Sequence, residues 1–298
     1  MSFDSSGANQ PPSASRAAQP GIPPSPAGRV RRPYVVHDKP LFFAHRGGSL
    51  LAPENTITAF ESGVACGADA LELDIQTTSD GELAVIHDPT VERTTDGIGP
   101  VASYTLEKLQ SLDAGYRLSL DGGATYPFRG QGISIPTLRQ VLERFPQMRI
   151  NIDLKESAPA REQRLWELIQ EYQAYDRVLV ASGDLHLPII RFRQLAGGRV
   201  ATSASAQEIR TFFWFARARA SRWLRPAYDA LQVPEMHRNI HIVSPAFVQA
   251  AHRLGLDVHV WTVDERSDME RLLALGVNGI MTDRPDILAE AMTAYKHA

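Results

Sequence analysis

A few residues in this chain have types and spacings that suit chemistry better than packing. Glu72 and Asp74 are two residues apart, and Asp153 and Lys155 repeat that spacing. On a β-strand such pairs face the same way. His45-Arg46-Gly47-Gly48, His87-Asp88, Trp261 and Thr282-Asp283 each close or border a short apolar run. Three carboxylates converging on one place repel each other unless a cation lies among them. An all-oxygen ligand set suits Mg²⁺ or Ca²⁺ better than Zn²⁺. His45 and His87 flank these acids and suit an acid–base pair working near neutral pH. Arg46 and Lys155 would then clamp an anionic substrate, phosphate being the obvious candidate. Gly47 and Gly48 allow close backbone approach or positive φ, and Asn55 is placed to cap the helix that follows. Any one of these acids alone reads as a rim salt bridge. The set in company reads as metal-assisted phosphoester chemistry.

The elements that must position these residues alternate. Short β-rich runs lie at Leu41–His45, Ala70–Thr77, Met148–Leu154, Arg177–Ala181, Arg199–Thr202, Ala230–Val233, Asp257–Val263 and Gly279–Thr282. Amphipathic stretches at Thr56–Cys66, Leu138–Phe145, Arg161–Tyr172, Leu187–Leu195, Pro245–Leu254 and Met269–Leu275 separate them. Gly67, Gly197, Gly255 and Gly276 stand where left-handed helix stops are wanted. Eight such repeats predict parallel strands with right-handed crossovers closing into a (β/α)₈ TIM barrel, whose working residues stand at the C-terminal strand ends. Asp80-Gly81 between two apolar runs predicts a small hairpin excursion after the second strand. Pairing about that turn, with positions summing to 161, puts His87 beside Asp74.

Composition agrees with this architecture. The chain has 298 residues, 43% of them hydrophobic, a net charge of −3 and one cysteine, Cys66. That excludes a disulfide framework and a cysteine-based zinc cluster, and argues against a nucleic-acid partner held by bulk charge. Seven of the 20 prolines fall in the first 33 residues, amid Ser, Ala and Gly. Residues 1–33 are therefore expected to form a disordered tail, and 34–298 one barrel domain. No apolar run is long enough for a membrane span or a secretory signal, so a cytoplasmic location is expected.

The ordered motifs identify a family. His45-Arg46-Gly47, Pro53-Glu54-Asn55-Thr56, Glu72-Leu73-Asp74, Val85-Ile86-His87-Asp88, Asp153-Leu154-Lys155, Val260-Trp261-Thr262 and Met281-Thr282-Asp283-Arg284-Pro285 together resemble the glycerophosphodiester phosphodiesterase family. The resemblance runs from about Leu41 to Leu288. It implies hydrolysis of glycerophosphodiesters to sn-glycerol 3-phosphate and an alcohol. It also implies Glu72, Asp74 and Asp153 as ligands of the divalent metal, Mg²⁺ or Ca²⁺, and His45 and His87 as catalytic acid and base. Arg46 and Lys155 would hold phosphate and Trp261 would line the substrate pocket. Asp153 departs from the commoner Glu and is one methylene shorter.

Two alternatives are open. Residues 210–228 interleave Phe212, Phe213, Trp214, Phe215 and Trp223 with Arg210, Arg217, Arg219, Arg222 and Arg225. They read either as a barrel helix with an arginine-rich outer face or as an apolar, cationic lip at the mouth making peripheral membrane contact. The lip reading favours a lysophospholipase D-like reaction on lysophospholipids. A catalytically silent binding barrel is the non-enzyme alternative, and the full set of acids and bases argues against it. The glycine loop at 121–132 reads as a rim excursion.

Overall fold

The computed structural model describes residues 31–155, 159–183 and 185–296. Its strands are β1 (Leu41–Ala44), β2 (Ala70–Thr77), β3 (Leu83–Val85), β4 (Arg149–Leu154), β5 (Val178–Ala181), β6 (Ala201–Thr202), β7 (Ala230–Pro234), β8 (Met236–His237), β9 (Ile240–His241), β10 (Asp257–Trp261) and β11 (Gly279–Thr282). Its helices are α1 (Ile57–Ala65), α2 (Leu106–Gln110), α3 (Leu138–Arg144), α4 (Pro159–Glu171), α5 (His186–Ala196), α6 (Ala206–Arg217), α7 (Pro245–Arg253), α8 (Arg266–Leu275) and α9 (Pro285–Lys296).

Eight parallel strands run in the order β6-β5-β4-β2-β1-β11-β10-β7. A parallel bridge from Ser203 to Ala230 brings the two outer strands together, so the sheet closes on itself. The expected (β/α)₈ barrel is thus observed. The barrel strands are buried on both faces, as near-continuous apolar runs demand. One apolar cluster lies between the strands and the surrounding helices. A second fills the barrel's lower interior around Tyr34, Phe43, Leu179 and Met281.

Local chemistry sets the helix ends. Thr137 and Ser205 close capping boxes with Gln140 and Glu208. Gly67, Gly197, Gly255 and Gly276 all take positive φ, as their positions predict.

Some expectations need correction. β1 ends at Ala44, so His45 opens a short 3₁₀ turn just beyond the strand. The β2–β3 hairpin pairs Ile75 with Val85 and Thr77 with Leu83, positions that sum to 160. Its loop is the three residues Ser79–Gly81, bracketed by Thr78 N–H donating to Glu82 O at 3.0 Å, with Gly81 at φ 85°. A three-residue loop ending in a left-handed glycine shifts the register by one from a two-residue turn. Ile86, not His87, therefore lies opposite Asp74, with Ile86 N–H bonding Asp74 O at 3.0 Å. The excursion is also larger than a hairpin: residues from Ala84 to Ile135 bury their own apolar cluster.

The tail boundary shifts as well. Residues 1–30 lie outside the described residues. Arg31, in the expected tail, bonds the buried Asp257 at 2.5 Å. Arg32 bonds Gly198 O at 2.9 Å and pairs with the buried Asp229. Ordered chain thus begins before residue 34. Composition treats these arginines as solvated, whereas two buried carboxylates at strand starts neutralise them.

Candidate active site

The C-terminal strand ends surround a cavity of about 230 Å³. His45, Arg46, Glu72, His87, Asp153, Lys155 and Trp261 line its wall, and Asn151 and Gln232 its floor. Asp74 lies just behind, ion-paired with the cations that face the cavity. All eight predicted site residues therefore meet at one mouth.

Each histidine is held by a carboxylate at Nδ1. His45 Nδ1 is 2.7 Å from Asp283 Oδ1, and His87 Nδ1 is 2.6 Å from Asp88 Oδ1. An ionised carboxylate accepts, so Nδ1 carries the proton and Nε2 of the neutral ring is left as an acceptor. His45 Nε2 lies 3.8 Å from Glu72 Oε2. Burial pushes the His45 pKa down, but Glu72 and Asp283 together raise it above its ordinary value.

The acids differ in environment. Burial, reinforced by Asp74, pushes the Glu72 carboxyl up to about 7. Burial also penalises Asp74, but Lys155 at 2.9 Å and Arg46 at 3.2 Å hold it below the usual carboxylate range. Lys155 Nζ is 2.6 Å from Asp153 Oδ2. These carboxylates keep its pKa high despite burial.

Asn55 does not cap α1. Thr56 does, accepting from Ala59 N at 3.2 Å. Asn55 sits at φ 58°, donates to Asp74 Oδ2 at 2.9 Å and accepts from Asp74 N–H at 3.3 Å. Its amide thus serves one carboxylate oxygen and the backbone N–H of the buried acid, while Thr56 closes the helix end.

A residue with no assigned role ties the site together. Arg93 donates to Glu54 at 2.6 and 2.8 Å and to Asp88 at 2.5 Å. Glu54 in turn accepts from Arg46 at 3.1 Å. The chain His87–Asp88–Arg93–Glu54–Arg46 thus connects one imidazole to one of the two cations that line the cavity. Arg93 lies in the excursion, five residues past Asp88, where spacing carries no signal.

The carboxylates Glu72, Asp74 and Asp153 form the donor set open to a divalent cation. Among the described residues, no group of three or more His, Cys, Asp or Glu side chains is arranged to hold an ion as it stands. Lys155 reaches both Asp74 and Asp153. The set nevertheless fits in kind. It is oxygen-only, Glu72 is held near neutrality beside a second acid, and buried Asp74 Oδ1 has no hydrogen-bond partner. Its 2.9 Å contact with Lys155 is off a hydrogen-bonding line.

Residues 210–228 do not reach the mouth. α6 ends at Arg217, a 3₁₀ turn follows at Ser221–Trp223, and none of them lines the cavity. A helix continued to 223 would present Phe213, Ala216, Ala220 and Trp223 on one face; α6 instead buries Phe212 with Ala216 and leaves Phe213 only partly buried. Arg219 at φ 56° breaks the helix before that face can form.

A sequence profile of the glycerophosphoryl diester phosphodiesterase family matches residues 45–287, which carry all eight predicted site residues together with Glu54, Asn55, Asp88, Arg93 and Asp283. The chain belongs to this family. It is 35% identical over 257 residues to the glycerophosphodiester phosphodiesterase of Caldanaerobacter subterraneus subsp. tengcongensis, covering 84% of this chain and 96% of that one. A glycerophosphodiester phosphodiesterase of Bacillus subtilis is 30% identical over 282 residues, covering 87% and 88%. Among solved structures, the glycerophosphoryl diester phosphodiesterase domain of a Mycobacterium tuberculosis protein superposes with a TM-score of 0.74 at 23% identity, covering 86% of this chain and all of that one. An Oleispira antarctica phosphodiesterase, solved with the product sn-glycerol-3-phosphate, gives 0.67 at 23% identity, covering 86% and 97%. The family makes this chain a phosphodiesterase, a hydrolase of glycerophosphodiesters.

Proposed function

We propose that this phosphodiesterase cleaves water-soluble glycerophosphodiesters to sn-glycerol 3-phosphate and an alcohol, with His45 and His87 moving the protons. The observation that carries the reading is the pair of imidazoles. Each is anchored at Nδ1 by a carboxylate, and both border one cavity with Arg46 and Lys155. Glu72, Asp74 and Asp153 would hold Mg²⁺ or Ca²⁺, which would supply neutralising charge and Lewis acidity at the phosphate.

The chain's own residues do the rest. Arg46 and Lys155 bind the phosphate oxygens and stabilise the charge that builds on them. One imidazole takes a proton at Nε2 from the attacking oxygen, water's or the neighbouring glycerol hydroxyl's, as it bonds phosphorus, and the other gives a proton to the alkoxide released as its P–O bond breaks. Where the glycerol hydroxyl attacks, water then opens the cyclic phosphate by the same exchange in reverse. Asp283 and Asp88 keep both rings oriented and stabilise whichever is protonated. Polar groups on the floor, Asn151 and Gln232, offer partners for glycerol hydroxyls; Gln232 Nε2 already donates to Asn151 Oδ1 at 2.7 Å.

None of residues 210–228, the aromatic segment that would have accommodated an acyl chain, lines the cavity, which favours a soluble diester over a lysophospholipid. Among the described residues no helix is long and apolar enough to cross a membrane.

His45→Ala and His87→Ala, assayed on glycerophosphocholine with saturating Mg²⁺ or Ca²⁺, should each lose roughly 10²–10⁴ in kcat. Near-wild-type turnover in either variant would remove that histidine from the reaction. Chelation should abolish activity and the divalent ion restore it. Activity that survives chelation would rule out the ion.

A further inference from the structure

We propose that the flank formed by α6 and the turn after it docks the enzyme on an anionic membrane surface, with the catalytic mouth left open to water. Residues 209–228 contain no Asp or Glu. Arg210, Arg217, Arg219, Arg222 and Arg225 are all exposed. Trp214 and Trp223 are 60% and 67% exposed, the most exposed aromatic side chains among the described large hydrophobics. Arg210, Trp214 and Arg217 follow i, i+4, i+7 spacing, so they share one face of α6, opposite the buried Phe212 and Ala216.

These arginines differ from others on the barrel wall. Arg139, Arg144, Arg164, Arg266 and Arg271 each meet a carboxylate on their own or a neighbouring element. None of the five on this flank is ion-paired among the described residues. Arg222 instead stacks over Trp223, at 5.0 Å from its ring centroid. Unpaired arginine charge interleaved with exposed indoles matches the headgroup region of an anionic bilayer. Indoles settle at the apolar–polar boundary and each basic side chain gains attraction from acidic lipid.

The topology sets the orientation. Ser205 caps α6 beside Ser203 and Ala204, which line the cavity. The 12-residue helix then runs about 18 Å away from the mouth. Pro226 and Ala227 share a depression with Arg32 and Gly198 at the opposite end of the barrel. Trp214 lies in the third turn and Trp223 beyond the last. The patch therefore descends the flank towards the barrel floor, and a membrane meeting it faces away from the mouth. This inference does not depend on the proposed reaction, because its primary readout is vesicle binding.

The test is co-sedimentation of the full chain with vesicles of phosphatidylcholine alone and of phosphatidylcholine mixed with phosphatidylglycerol. Binding is expected only to the mixed vesicles, and should weaken with added salt. The triple variant Arg217→Glu/Arg222→Glu/Arg225→Glu should partition about 100-fold less, since each basic residue contributes roughly a five-fold factor near an acidic surface. Trp214→Ser/Trp223→Ser should bind more weakly without losing the preference for acidic lipid. Both variants should keep the wild-type melting temperature, since every changed residue is exposed. Hydrolysis of soluble glycerophosphocholine by vesicle-bound enzyme should match that of free enzyme. Equal binding to both vesicle types, no binding to either, or wild-type binding by the triple variant would each overturn the docking surface. Retention on DNA without vesicle binding would overturn it in favour of a nucleic-acid partner. Loss of soluble-substrate hydrolysis on the vesicle would overturn the orientation.

Discussion

Arg93 shows how much of this site lies outside its obvious residues. Its guanidinium spans Glu54 and Asp88, so it sets the aim of both Arg46 and His87 without facing the cavity itself. Arg93→Ala should lower kcat about 10- to 100-fold, the usual cost of removing an outer partner of a site's ligands, and should raise KM as Arg46 loosens. Arg93→Lys, able to meet only one carboxylate well, should fall between. Unchanged kcat and KM in Arg93→Ala would show that Glu54 and Asp88 hold their partners unaided. Asn55 makes a second case. Asn55→Gly accepts φ 58° but strips the buried Asp74 of its amide, and should lower unfolding free energy by about 1–3 kcal/mol in urea titrations. A stability equal to wild type would mean that Lys155 and Arg46 alone satisfy Asp74. The histidines, acids, Arg46 and Lys155 were legible in the sequence because strand ends collect them in pairs. Arg93 was not, because its partners sit five and 39 residues away along the chain and meet only in three dimensions. Asn55 reads as a cap in the sequence because local spacing cannot distinguish it from Thr56.

Glycines at the element joints separate two kinds of constraint. Gly47 and Gly81 both take positive φ, at 88° and 85°. A Cβ on Gly81 would meet nothing within 4 Å, so Gly81→Ala faces backbone strain alone, about 1–2 kcal/mol. A Cβ on Gly47 would come within 2.6 Å of the Ala59 backbone in the first turns of α1. Gly47→Ala must push α1 from the end of β1, displacing His45 and Arg46 with it. Its expected signature is a larger drop in melting temperature and a loss of turnover, whereas Gly81→Ala keeps turnover once folded. Equal effects of the two substitutions on kcat would disprove the close-packing argument. At this scale the eight barrel strands were legible, since period and punctuation fix them locally. The hairpin register was not: Asp80-Gly81 signals a turn, but the count of loop residues depends on how Thr78 and Glu82 close it. The length of α6 was hidden in the same way, because Arg219 adopts its left-handed conformation against helix propensity.

The barrel has two polar ends, and the predicted site residues gather at the upper one. At the floor, the turn Pro33–Val35 tucks Tyr34 and Val35 into the barrel, beneath the same strands that carry the site above. Composition assigns Arg31, Arg32 and Pro33 to a tail, because the partners that hold the two arginines, Asp257 and Asp229, lie about 200 residues further on. Asp257 is the centre of the seal: Arg31 reaches it at 2.5 Å, His37 Nε2 at 2.8 Å, and His259 lies 3.7 Å away. Burial pushes its carboxyl up, but His259 and His37 more than offset that and bring it down to about 2. A carboxyl whose pKa is lower folded than unfolded stabilises the fold above its unfolded value, near 3.9, and loses that contribution as pH falls through the folded value. The full difference corresponds to at most about 2.6 kcal/mol. Asp257→Asn should therefore be less stable than wild type by up to that amount above about pH 5. The gap should narrow between about pH 4 and about pH 2 and close below, where protonated Asp257 presents nearly the same surface as asparagine. Urea titrations of both proteins across this range would measure it. A gap that stayed constant with pH would show that Asp257 holds the floor by shape rather than by charge.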